Sequence, residues 1–228
     1  MGGVEYVELA RTETERGELV LRERAPDEPG PTILELRANG VFVMDTVEVG
    51  SERALATAAL ALVDQPRAVV VGGLGLGFTL SEVLADSRVE RCSVVEIEQT
   101  LVGWLRDGTV PHGPALLADE RVNIVVADVA AAVAEAGPAS YDLVLLDVDN
   151  GPGYLVHEAN AELYGTDFLR AVQRILRPGG VVAIWSANRS GALAEVLSSV
   201  FDAVEEQPLD VELQGRQTQY WLYVGRCP

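Results

Sequence analysis

"VVVGGLGLGFTLSEVL" (residues 69–84) decides how this chain is read. An apolar run meets four glycines within six positions, Gly72 to Gly77, and then resumes with helical character. A strand that ends in a glycine turn and leads straight into a helix opens a βα unit. Without Cβ atoms the turn can take positive φ and let the backbone approach a ligand, while the following helix start presents free N–H groups. The same turn can also do no more than pack a helix on a strand, so neighbouring strand ends must decide.

Working outward, apolar segments at 68–71, 92–97, 122–127, 141–147 and 180–186 read as strands. Helical stretches at 79–85, 99–107, 129–136 and 166–176 separate them. Strands that are apolar almost throughout and joined by single helices predict a parallel sheet covered on both faces, a doubly wound α/β domain. A further helix, "GALAEVLSSVF", and a strand pair near 203–206 and 219–225 complete it. In "QTQYWLYVG" the alternation of Tyr220, Leu222 and Val224 against Trp221 and Tyr223 predicts a final strand covered on both faces. Upstream of this domain, "SERALATAALALV" predicts a helix with Ser51 as N-cap, closed by Gln65-Pro66. Before it, short period-two runs and the turn Ala38-Asn39-Gly40 predict β-hairpins, with "APDEPGP" (25–31) separating the first arm from the second. The expected division is an N-terminal β-hairpin region over 1–50 and the α/β domain over 51–228.

Composition removes several function classes. The chain has 228 residues and a formal charge of −18, a field that opposes polyanions, so nucleic acid is not an expected partner. No apolar run is long enough to span a membrane, and the acidic N-terminal stretch does not read as a secretory signal, so the cytoplasm is the expected location. All 17 basic residues are arginine, which rules out a Schiff-base lysine, a pyridoxal anchor and a Walker-type phosphate lysine. Cys92, Cys227, His112 and His157 lie at no metal-ligand spacing, and Cys92 falls in a strand expected to be buried.

The strand ends carry acids. Glu96 closes the second strand, where an acidic side chain can accept hydrogen bonds from both ribose hydroxyls. Asp128 follows the third, suited either to an adenine amino group or to capping the next helix. The fourth runs into Asp147-Val148-Asp149-Asn150-Gly151-Pro152, placing two carboxylates and an amide over the same edge. A dinucleotide turn reads G-x-G-x-x-G, whereas here Gly73, Gly75 and Gly77 are evenly spaced and Phe78 follows. That spacing, with acids on successive strands, fits a sulfonium nucleoside better than a nicotinamide dinucleotide.

Taken together, "VVVGGLGLGFTLSEVL", "SVVEIEQTLVGWLR", "DERVNIVVADVAAAV", "YDLVLLDVDNGP" and "ELYGTDFLRAVQRILRPGG" resemble the spermidine synthase group of the class I S-adenosylmethionine-dependent methyltransferase superfamily. The resemblance implies a mostly parallel, seven-stranded Rossmann-like sheet with its last strand antiparallel, and an N-terminal β region that often assists a homodimer. It implies S-adenosylmethionine or its decarboxylated form as ligand, with S-adenosylhomocysteine or methylthioadenosine as product. Carried over, Gly73, Gly75, Leu76 and Gly77 face the nucleoside and its side arm, Glu96 the ribose, and Asp128 with Val129 the adenine. Asp147, with Asp149 beside it, is the base that takes the amine proton, and Asn150 and His157 are candidate substrate contacts.

The chain departs from the family's pattern at three places. The acid of the family's glycine loop is Leu76 here, the tyrosine of its helix-start motif is Leu55, and the second aspartate of D-x-x-D-P is Asn150. Three functions follow as readings: methyl or aminopropyl transfer to a small-molecule, amine-type acceptor; a non-catalytic module that keeps the pocket; and an oxidoreductase, which the glycine spacing disfavours.

Overall fold

A computed structural model describes residues 5–26, 30–148, 150–153, 155, 158–213 and 216–228. Four strands open the chain: β1 (Tyr6–Thr14), β2 (Gly17–Arg24), β3 (Ile33–Ala38) and β4 (Val41–Asp45). They pair in the order β1-β2-β3-β4 as one antiparallel sheet. The expected hairpin turn is present, since Asn39 (φ 52°) and Gly40 (φ 75°) both take the positive φ of a type I′ turn. The stretch at 25–31 separates nothing, because β2 and β3 on either side of it pair directly from Leu19↔Ala38 to Arg24↔Ile33.

The main domain runs α1 (Gly50–Leu60), β5 (Ala68–Gly72), α2 (Phe78–Ala85), β6 (Arg91–Glu96), α3 (Gln99–Asp107), α4 (Gly113–Leu117), β7 (Val122–Val126), α5 (Val129–Glu135) and β8 (Tyr141–Leu146). It continues through a 3₁₀ turn (Glu158–Tyr164), α6 (Thr166–Ile175), β9 (Leu176–Ser186), α7 (Gly191–Val200), β10 (Asp202–Leu213) and β11 (Arg216–Arg226). The seven-stranded sheet has the order β10-β11-β9-β8-β5-β6-β7. Strands β5 to β9 are mutually parallel, and β11 lies antiparallel between β9 and β10. The last strand pair is longer than the sequence pattern marks, because backbone pairing from Leu209↔Tyr220 to Leu213↔Arg216 extends it through residues of mixed polar and apolar order.

Both faces of the sheet are covered. On one, α6 buries Phe168, Leu169, Val172 and Ile175, a helical stripe. Each such side chain contributes about 1.5–3 kcal/mol on full burial. On the other face, Leu55, Ala56, Ala59 and Leu60 of α1 join Leu19, Leu21, Leu34, Leu36 and Met44 of the N-terminal sheet in one continuous core. Cys92 is fully buried in β6, and burial pushes its thiol up to about 12.

Ser51 is not the N-cap of α1. The helix starts one residue earlier with Val49 as cap, and Oε1 of Glu48 accepts the N–H groups of Gly50 (2.8 Å) and Ser51 (3.3 Å). A longer side chain reaching forward does the work expected of the serine, whose own hydroxyl donates to Glu52 Oε2 at 2.8 Å.

Candidate functional site

Strand order reverses between β5 and β8, and in doubly wound sheets the crevice at the carboxyl end of such a pair is where ligands bind. The glycine turn leaves β5 there. Gly73, Gly75 and Gly77 take φ of +90°, +49° and +89°. The turn is tied to its neighbours on both sides: Gly73 N–H donates to the Val95 carbonyl at 2.9 Å, and Asp147 N–H to that of Gly72 at 2.8 Å. A cavity opens over this edge, lined by Gly73, Gly75, Glu96, Asp128, Val129, Asp147 and Asn150 among the predicted residues.

Glu96 is buried at the tip of β6, where Oε2 accepts the Leu74 N–H (2.9 Å) and Oε1 that of Glu98 (2.8 Å). Burial holds its carboxyl above the usual range, against the pull of those two donors. Asp128 takes the capping role and also has a place at the cavity. Its Oδ1 caps α5 through the N–H groups of Ala130 (2.7 Å) and Ala131 (3.3 Å), while the residue still borders the cavity.

Two of the predicted residues point elsewhere. Leu76 is fully buried in the core and does not line the cavity. The positive φ at Gly75 and Gly77 turns the intervening side chain inward, its N–H meets Met44 Sδ at 3.2 Å, and its carbonyl accepts His112 Nε2 at 2.6 Å. Gly77 is the N-cap of α2, and the direction its side chain would take runs into Leu116. Asp149 and His157 lie outside the described residues.

Sequence reasoning missed Glu52. It stands on the buried face of α1 and lines the cavity with Glu48, Asp147, Trp185 and Tyr220. Its signal was an acid in the apolar stripe Glu52, Leu55, Ala56, Ala59, Leu60. Burial, then repulsion from the Asp147 carboxylate, pushes its carboxyl up to about 7. Asp147 itself is pushed up to about 6 by burial, although the Thr79 hydroxyl donates to its Oδ2 at 2.9 Å and opposes the rise.

Raised carboxyl pKa values carry a stability consequence. The folded chain prefers the protonated acids, so their stabilisation is complete near pH 4 and is lost as pH rises through about 6 to 7. Asp147→Asn removes one buried charge of the alkaline form. In thermal melts without ligand, the variant is expected to unfold a few degrees above the native protein at pH 8, roughly 2 kcal/mol of relief, and nearly level with it at pH 4. Equal melting at both pH values would contradict a buried, ionised pair.

Across the whole cavity, six acids (Glu48, Glu52, Glu96, Glu98, Asp128, Asp147) face one cation among the described residues, Arg16, whose Nε lies 3.2 Å from Glu98 Oε1. The rest is largely apolar, with Leu19, Leu36, Ala38, Phe42, Val43 and Met44 of the N-terminal sheet closing one side. Such a site suits a ligand with cationic and apolar parts.

Known proteins share this architecture. A crystal structure of spermidine synthase in complex with the transition state analogue AdoDATO superposes with a TM-score of 0.84 at 19% identity, covering 97% of this chain and 74% of that one. Spermidine synthase from Thermotoga maritima gives 0.82 at 18% identity, covering 97% and 73%. Among curated sequences, polyamine aminopropyltransferase 2 of Pseudomonas aeruginosa is 35% identical over 152 residues, 62% of this chain and 41% of that protein. Putrescine N-methyltransferase 3 of Nicotiana tabacum is 35% identical over 125 residues, 54% of this chain and 31% of that protein. The chain thus spans well under half the length of these two relatives. The family model described as spermine/spermidine synthase domain matches residues 48–201, from the start of α1 past the end of α7. With the greater part of its length matched by that model, the chain belongs to the spermine/spermidine synthase domain family.

Proposed function

We propose that this protein is a transferase that binds S-adenosylmethionine or its decarboxylated form and moves a methyl or aminopropyl group to an amine acceptor. The observation that carries this reading is the charge of the cavity: six acids against one already paired arginine, set in apolar walls. A sulfonium ligand and a protonated amine are both cations with apolar bodies, and both gain from such a lining. Relatives named as an aminopropyltransferase and as an N-methyltransferase support an amine acceptor with either transferred group.

In this reading Glu96 receives the ribose hydroxyls, and Asp128 with Val129 borders the adenine. Gly73 and Gly75 let the main chain lie under the sulfonium arm. With Leu76 turned into the core, the loop offers that arm backbone groups and no acid of its own. When bound, the sulfonium supplies an activated carbon whose C–S bond breaks as the amine nitrogen forms its new N–C bond, the electron pair leaving on sulfur. Asp147 takes the proton that the acceptor nitrogen must lose, with Thr79 fixing the carboxylate's orientation. Positioning of two reactants in one dry cavity supplies much of the remaining rate. Asn150 borders the same end of the cavity as an acceptor contact. The assembly we propose is a homodimer on the N-terminal sheet, whose outer strand β1 exposes Val7 and Leu9.

Mass spectrometry of ligand retained through purification, followed by thermal-shift comparison of S-adenosylmethionine, its decarboxylated form and methylthioadenosine, tests the donor. Stabilisation of several degrees by one of them is expected at saturating ligand. No shift with any of them would overturn the reading, and binding without turnover on a panel of amines would leave the protein a non-catalytic adenosyl-binding module.

A further inference from the structure

We propose that Glu52 is an acceptor-binding residue that grips the cationic nitrogen together with Asp147, so that helix α1 and strand β8 supply one carboxylate each; this rests on the amine-acceptor reading above. Both acids line the same cavity, Glu52 buried and Asp147 half-buried, and among the described residues no arginine pairs with either. Ser51 donates to Glu52 Oε2 at 2.8 Å, and Thr79 donates to Asp147 Oδ2 at 2.9 Å. The Thr79 hydroxyl also lies 3.4 Å from the Glu52 carbonyl oxygen, so one side chain spans from the backbone of α1 to the carboxylate of Asp147.

The groups facing the pair add no positive charge. Glu48 precedes Glu52 on the same side, Tyr220 of β11 carries a phenol pushed up to about 12 by burial and then by Glu52, Glu48 and Asp45, and Trp185 of β9 is uncharged. Two carboxylates in a dry site repel, so the empty pair retains a proton more readily than either acid would alone. An ammonium group placed between them supplies the missing charge and drives that proton off. Acceptor binding is therefore coupled to proton release near pH 6.5, and affinity rises between pH 6 and 8. The same field rejects acceptors that bring their own carboxylate, which makes Glu52 a selector of plain amines over amino acids.

Calorimetric titration of n-butylamine and of γ-aminobutyrate into protein saturated with S-adenosylhomocysteine, at pH 6.5 in two buffers of different ionisation enthalpy, tests this. The native protein is expected to bind n-butylamine with proton release and γ-aminobutyrate much more weakly. Glu52→Gln should bind n-butylamine about tenfold or more weakly and release markedly less proton, that from Asp147 alone. Glu52→Asp should recover part of both, while S-adenosylhomocysteine affinity stays within twofold in each variant and shows that the fold is kept. Unchanged amine affinity and unchanged proton release in Glu52→Gln would overturn the proposal alone. Native protein that binds S-adenosylhomocysteine and neither amine would overturn it together with the amine-acceptor reading. Glu52-dependent amine binding without any nucleoside affinity would uphold the pair and sink the donor assignment.

Discussion

Asp147→Asn is expected to slow group transfer by roughly 10²–10⁴-fold while the affinity for the adenosyl ligand changes little. The size of the loss follows from the task. A protonated amine has no lone pair to offer, and the amide that replaces the carboxylate accepts no proton near neutrality. The geometry otherwise survives, because Asn retains an acceptor oxygen for the Thr79 hydroxyl that now holds Asp147 Oδ2 at 2.9 Å. In the native protein the base is ionised only above about pH 6, so the rate should fall on the acid side of that value and the variant should lack this limb. Single-turnover kinetics with donor in excess would measure both. A variant within threefold of native turnover would remove Asp147 from the chemistry.

Gly73→Ala is expected to cost roughly 2–4 kcal/mol of stability and to abolish adenosyl-ligand binding. Two costs act at one position. The residue sits at φ +90°, where L side chains are strained, and an added Cβ would come within 2.0 Å of the Asp147 carbonyl oxygen. That oxygen is main chain and has no rotamer by which to escape. Relief requires β5 and β8 to part at their carboxyl ends, which is where Gly72 and Asp147 are joined by a 2.8 Å hydrogen bond. A loss of roughly 5–15 °C in melting temperature follows for a chain of this size. Gly103 provides the contrast, since it lies inside α3 and an added Cβ there meets nothing within 4 Å, so its alanine variant should melt a few degrees above the native protein. Native-like melting of Gly73→Ala would show that the turn is not as tightly built as its contacts imply.

Glu96, Asp128 and Asp147 were legible in the sequence because parallel strands converge at their carboxyl ends, so a residue's place at a strand end already fixes which edge it occupies. Glu52 was not. In sequence it is an acid in the first turn of an alanine-rich helix, the place where a solvated carboxylate favourably meets the helix dipole. Only the packing of α1 against α2 and the sheet turns it inward. Leu76 failed for a related reason. Membership of a glycine loop says nothing about direction, and it is the φ values of Gly75 and Gly77 that send this side chain into the core while the loop's backbone borders the cavity. The helix cap shows the same lesson on a smaller scale, as Glu48 reaches two N–H groups that proximity alone would have given to Ser51. The N-terminal turn at Asn39-Gly40 was readable, but the pairing of β2 with β3 across the Pro-rich connection needed the continuous core beneath it.

That core joins the stretch covered by the family match to lengths of chain outside it. The family match begins at Glu48 and stops at Phe201, whereas Leu19, Leu36, Ala38, Phe42, Val43 and Met44 on one wall and Tyr220 on another lie outside it. The floor of the cavity lies within the matched stretch, and its roof is written in separate stretches of sequence. Exchanging a few apolar side chains of the peripheral sheet would therefore reshape the cavity with every strand-end acid left in place.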